Sequence, residues 1–173
     1  TLEAFALLRG LTDQADACSL VMVGDGPLLA AVQERARQLG LEQFVQFPGV
    51  LSPDAVAEEM RRARVFVQHS RTAEDGDEEG CPVSVMEAQL CGLPVVATRH
   101  GGIPDVVVDQ QTGRLVEEGD RRAMAEAMAL LVDQPDLAAA WGAAGQLRAQ
   151  ARFTVAHHVD QITMLLNDLV GHS

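Results

Sequence analysis

A chain of 173 residues, 47% hydrophobic and 22% charged, is enough for one globular domain. Its formal net charge of −12 argues against nucleic acid and against electrostatic docking on anionic lipid. No apolar run approaches a membrane span and no signal peptide opens the sequence, while three cysteines, an odd number without metal-ligand spacing, favour a reducing cytoplasm.

In chain order, a helix is predicted from Thr1 to about Asp16, with Leu2, Phe5, Leu8 and Leu11 at a helical period. Ser19–Val23 follows as a strand, closed by the turn Gly24-Asp25-Gly26-Pro27. A second helix is predicted over Pro27–Gly40, turning Leu28, Leu29, Val32, Ala36 and Leu39 inward. A glycine pair after a strand suggests a dinucleotide fingerprint, but Leu29 stands where its third glycine belongs. Phe44–Phe47 is a short strand ended by Pro48-Gly49. Ser52 caps a helix that Pro53 and Asp54 open, running to about Arg62 with Val56 and Met60 inward. Val65–Val67 is the next strand and leads into a long loop from His69 to Glu79.

Glu79 to Gly102 carries the most chemistry. Glu79 and Glu87 stand eight positions apart, with Gly80-Cys81-Pro82 between them. Pro82 suits the first position of a helix, so the amides of Val83 and Ser84 fall in its first turn without intrahelical acceptors. Free amides at the positive end of a helix dipole attract phosphate. Gly80 lets a ligand approach the backbone, and Glu87 leans back toward that site from about 7 Å along the axis. The helix ends at Gly92, and Leu93–Thr98 is a buried strand before Gly101-Gly102.

A turn at Gln110–Gly113 and a strand at Arg114–Val116 come next. Three helices follow, with inward stripes Met124/Ala127/Met128/Leu131, Leu137/Ala140/Trp141/Ala144 and Val155/Val159/Ile162/Leu166/Leu169. Alternating strands and helices indicate an α/β fold with a parallel sheet. Ligands then bind beyond the carboxyl ends of the strands, where Gly24, Gly49, His69 and Gly101 fall. Cys18, Cys81 and Cys91 lack metal-ligand spacing, and Cys18 and Cys91 are expected as small buried residues. His69, at a strand end, and His100, just before Gly101-Gly102, can each line the cleft, but a lone His is more often a surface residue; adjacent His157 and His158 point to different sides and cannot form a helical metal pair.

The layout Glu79, seven residues, Glu87, then Ala88–Thr98 and Gly101-Gly102-Ile103-Pro104-Asp105 resembles family 4 (group 1) retaining glycosyltransferases of the GT-B fold. Asp105 stands where that pattern has Glu. The resemblance implies a Rossmann-like parallel sheet with flanking helices. Residues 1–173 would be the C-terminal, nucleotide-sugar-binding domain, lacking its first strand and the acceptor-binding N-terminal domain. It implies sugar transfer from a nucleoside-diphosphate sugar, UDP-sugar favoured, in polysaccharide or glycoconjugate synthesis. Glu79 would be catalytic, at the donor sugar. The amides of Cys81, Val83 and Ser84, with Gly80 and Pro82, would hold sugar hydroxyls and the β-phosphate, and Glu87 the ribose. Gly24, Gly26, Gly49, Val50 and Leu51 would lie at the nucleotide. The acceptor, a glycan or lipid-linked glycan, would reach the site through the N-terminal domain, possible peripheral contact with the inner membrane being confined to the full-length protein. The chain alone is expected to be inactive and to self-associate. A nucleotide-sugar epimerase or phosphorylase of the same fold, or a non-catalytic binding module, stays open.

No cofactor or metal is expected. Asp75-Gly76-Asp77 is a D-x-D pair, and Asp75, Asp77, Glu79 and Gly80 match the opening of a calcium loop. That loop needs a bidentate Glu where Met86 stands, so these acids are read as a solvated rim.

Overall fold

In the computed structural model, residues 1–73, 76, 78 and 80–171 are described, the last two by backbone alone. The chain alternates helices and strands as α1 (Leu2–Leu8), β1 (Leu20–Val23), α2 (Leu29–Gln38), β2 (Val45–Gly49), α3 (Pro53–Arg62) and β3 (Phe66–Gln68). Then come α4 (Val83–Leu90), β4 (Val95–Thr98), α5 (Ile103–Val106), β5 (Gly113–Val116), α6 (Arg121–Asp133), α7 (Pro135–Arg152) and α8 (Val155–Gly171). All strand pairs are parallel, in two sheets ordered β1-β2 and β3-β4-β5.

The three-stranded sheet is covered on both faces. Val96 and Val116 point into a core with Phe5 and Leu8 of α1 and Met124, Met128 and Leu131 of α6. Val95, Ala97 and Leu115 point the other way, into a core with Met60 of α3, Val85 and Ala88 of α4 and Ile103 of α5. Successive strand residues face opposite sides, so a strand buried on both faces must be apolar throughout. That is why β4 is a continuous Val-Val-Ala-Thr run with every residue buried. Local signals set several helix ends. The Ser52 hydroxyl accepts from the Ala55 amide at 3.3 Å, and the Asp120 carboxylate accepts from the Ala123 amide at 2.9 Å. Gly92 adopts φ 79° just past α4, the left-handed stop that glycine takes without strain.

Among the described residues, β1 and β3 each pair on one side only. Between their open edges lies a cavity of about 950 Å³, lined by Leu20, Met22, Val65, Val67, Leu8 and Met128 among others.

Several expectations need correction. The first helix stops at Leu8, followed by a single 3-10 turn at Ala15–Ala17. The intervening chain is pinned to the end of α6, where the Thr12 hydroxyl donates to Asp133 and the Gln14 amide group to the Val132 carbonyl. Leu28 lies outside α2 and is 71% exposed, because the Gly-Asp-Gly-Pro turn runs on before the helix begins. Pro82 is the residue before α4 rather than its first, with ψ 123°. α5 was not foreseen. Cys18 and Cys91 are half-buried, and burial pushes the Cys18 thiol above its ordinary range.

On α7 the buried residues are Ala138, Gly142, Gly145 and Ala149, while Ala140 and Ala144 face solvent and Leu137 and Trp141 are only partly covered. The α8 stripe of Val155, Val159, Ile162, Leu166 and Leu169 is exposed, because that helix extends beyond the two cores. No helix among the described residues is long and apolar enough to cross a membrane.

The glycines of α7 bring its backbone against the α4–β4 connection. A Cβ on Gly142 would sit on the Gly92 carbonyl oxygen, far inside van der Waals contact. Backbone cannot move aside as a flexible side chain can, so Gly142→Ala is expected to destabilise the fold by about 2 kcal/mol or more. Denaturant unfolding checks this; an unchanged midpoint would contradict the packing.

Candidate functional site

The N-terminus of α4 is open. Pro82 offers no side-chain cap, and the first helical bond runs from the Val85 amide to the Pro82 carbonyl at 3.0 Å. Among the described residues, no acceptor meets the amides of Val83 and Ser84. Val83 is 63% exposed, Ser84 and Cys81 are half-buried, and Pro82 is buried. Two unpaired amides at the positive end of a helix form an anion site. Glu87 lies one turn further on, exposed and able to offer two carboxylate oxygens to a vicinal diol.

The approach to this helix is held by backbone. The Gly102 amide donates to the Gly80 carbonyl. A Cβ on Gly102 would come within 2.9 Å of the Gly80 oxygen and 3.1 Å of the Cys81 Cβ, so glycine permits this approach. The loop after β3 is also tied at its start, where the Thr98 hydroxyl donates to the Ser70 carbonyl at 2.7 Å.

One pair was missed at the sequence level. His100 is buried, with its side chain 1% exposed, and its Nδ1 lies 2.6 Å from Glu118 Oε1. The other Glu118 oxygen accepts from the Thr72 amide at 3.0 Å. The His100 hydrogen bond, then that from Thr72, holds the Glu118 carboxyl below its ordinary value of 4.5. A lowered acid stabilises the fold above its ordinary value and loses that contribution as pH falls through the lowered one. The expectation that His100 is a surface residue is therefore wrong. An acidic pair just past a strand, Glu117-Glu118, was the available signal, but only the tertiary fold joins it to His100.

The second group forms where β1 and β2 end. The Gly24 amide donates to the Gly49 carbonyl at 2.9 Å, with φ 127° at Gly24 and φ 75° at Gly49. The Asp25 carboxylate accepts from the Gly26 amide at 2.7 Å, and Val50 is 78% exposed beside half-buried Leu51. Val23, His69 and Ser84 all line the cavity between the two sheets, so it runs between this group and the start of α4. Glu79, Asp75 and Asp77 lie outside the described residues. Among the described residues, no cluster of three His, Cys, Asp or Glu could hold a metal ion.

The family model described as "Glycosyl transferases group 1" matches residues 1–148. The chain belongs to that family. It is 38% identical over 129 residues to the GDP-mannose-dependent alpha-(1-6)-phosphatidylinositol monomannoside mannosyltransferase of Mycolicibacterium smegmatis, covering 74% of this chain and 34% of that protein. It is 35% identical over 122 residues to the amylovoran biosynthesis glycosyltransferase AmsK of Erwinia amylovora, covering 70% and 30%. The crystal structure of Anabaena HepE in complex with UDP-glucose superposes with a TM-score of 0.78 at 26% identity, over 96% of this chain and 44% of that one. The chain thus spans about a third of the length of the curated relatives it matches. The parallel α/β architecture is that of a C-terminal GT-B domain.

Proposed function

We propose that this chain is the donor-binding domain of a retaining glycosyltransferase acting in polysaccharide or glycoconjugate synthesis. The observation that carries the reading is the uncapped start of α4, with two unpaired amides set behind the Gly80–Gly102 contact and Glu87 one turn beyond. The amides of Val83 and Ser84 take the β-phosphate, and Gly80, Cys81 and Pro82 shape the approach to the sugar. Glu87 takes the ribose hydroxyls. Gly24, Gly26, Gly49, Val50 and Leu51 border the nucleotide. Glu79 acts at the donor sugar. A UDP-sugar is favoured because HepE is a UDP-glucose complex, while the mycobacterial relative's name specifies GDP-mannose. The acceptor, a glycan or lipid-linked glycan, is brought by another domain, and the whole enzyme works in the cytoplasm or against the inner face of the membrane.

The reaction as proposed needs no divalent ion, since a helix N-terminus can neutralise a leaving diphosphate. Assayed in excess chelator, the whole enzyme should turn over. Glu79→Ala should lower kcat by about a hundredfold with little change in donor KM, and Glu87→Ala should mainly raise donor KM. Equal effects of the two changes would contradict the roles. Activity lost in chelator and restored by magnesium or manganese would move the catalysis to Asp75 and Asp77.

The 173 residues taken alone are proposed to be inactive and to self-associate, because β1 and β3 present open edges to one another's copies. Sedimentation of the isolated chain as a monomer across concentrations would refute this.

A further inference from the structure

Thr72 precedes the Glu79–Gly102 motif, His100 lies just before its closing Gly101-Gly102, and a single carboxylate holds both. Glu118 Oε1 lies 2.6 Å from His100 Nδ1, and Glu118 Oε2 accepts from the Thr72 amide at 3.0 Å. The Thr72 hydroxyl in turn donates to Glu78 Oε1 at 3.0 Å, next to Glu79 in the chain. Residues 71–73 are exposed, so no apolar burial fixes this stretch. Polar ties must place it. The ties at Ser70 and Gly80 are neutral, whereas those to Glu118 involve a charged acceptor and are the stronger kind.

We infer that Glu118 is a positioning residue for the proposed sugar transfer: it bridges His100 and Thr72 and so ties the loop after β3 to the turn that carries Gly102. It does not touch the donor. The inference rests on the donor-binding reading above for its effect on turnover, but the bridge itself can be tested without turnover.

The experiment uses the whole enzyme with Glu118→Ala, Glu118→Gln and Thr72→Val. Steady-state kinetics with the nucleotide sugar are measured beside UDP affinity, melting temperature and hydrogen exchange at the Thr72 amide. Glu118→Ala should speed exchange at Thr72 and lower kcat about tenfold or more, with UDP affinity within roughly threefold of wild type. Glu118→Gln keeps one oxygen to accept from the Thr72 amide, and its NH2 can donate to His100 Nδ1 when that ring nitrogen is unprotonated, so slow exchange and most of kcat should return. Thr72→Val keeps the amide and cuts the link to Glu78, so kcat should fall while UDP affinity stays. This variant decides the matter if Glu118→Ala does not fold.

Wild-type exchange and kcat in Glu118→Ala would overturn the inference. So would a Glu118→Gln enzyme that melts normally yet stays about tenfold slow, because the charge itself would then be at work. Should wild type turn over no nucleotide sugar, the functional reading fails. Unchanged exchange at Thr72 in Glu118→Ala would be a separate failure, that of the bridge.

Discussion

The hydrogen bond from the Gly102 amide to the Gly80 carbonyl is the constraint on which the site depends. It joins the turn after β4 to the residue that leads into α4. With Gly80 held there, Pro82 starts the helix without a side-chain cap, and the amides of Val83 and Ser84 remain unpaired among the described residues. A helix end of this kind normally recruits Ser, Thr, Asp or Asn to satisfy its amides. Proline does not do so, and an incoming anion can. The contact also explains the glycine at 102, because a side chain there would press on the Gly80 oxygen.

Behind that contact stands a sheet that cannot easily shift. β4 is buried on both faces, and helices α4, α5 and α6 pack against its two sides. Gly142 and Gly145 let α7 approach the α4–β4 connection closely, which fixes the far end of α4. The opposite side of the molecule is less complete. Among the described residues β1 and β2 pair only with each other, and a cavity separates them from β3. The turns at Gly24 and Gly49 therefore rest on one strand pair, while the start of α4 rests on a doubly covered sheet.

Much of this was legible from residue patterns. Strand positions followed apolar β-branched runs, and the α3 cap followed from Ser52-Pro53. The Glu79–Gly102 motif pointed to the family before any coordinates. What could not be read has a physical reason in each case. The α7 face is built from Ala138, Gly142 and Gly145, and packing through missing side chains leaves no hydrophobic period to detect. Leu137 and Trp141 pack at the margin of that face, while Ala140 and Ala144 turn to solvent. The α8 stripe has the period of a core helix, but period alone does not say what covers it. The short α1 reflects Thr12 bonding to Asp133, and the His100–Glu118 pair joins two different loops. Such long-range polar partners have no local signature.

The central claim is that the first turn of α4 receives the donor's diphosphate. A crystal structure of the whole enzyme with bound UDP-sugar tests it most directly. The account predicts β-phosphate oxygens accepting from the Val83 and Ser84 amides at about 2.7–3.2 Å, with the ribose hydroxyls on Glu87. A diphosphate held instead by a metal ion on Asp75 and Asp77, with those two amides facing water, would contradict it.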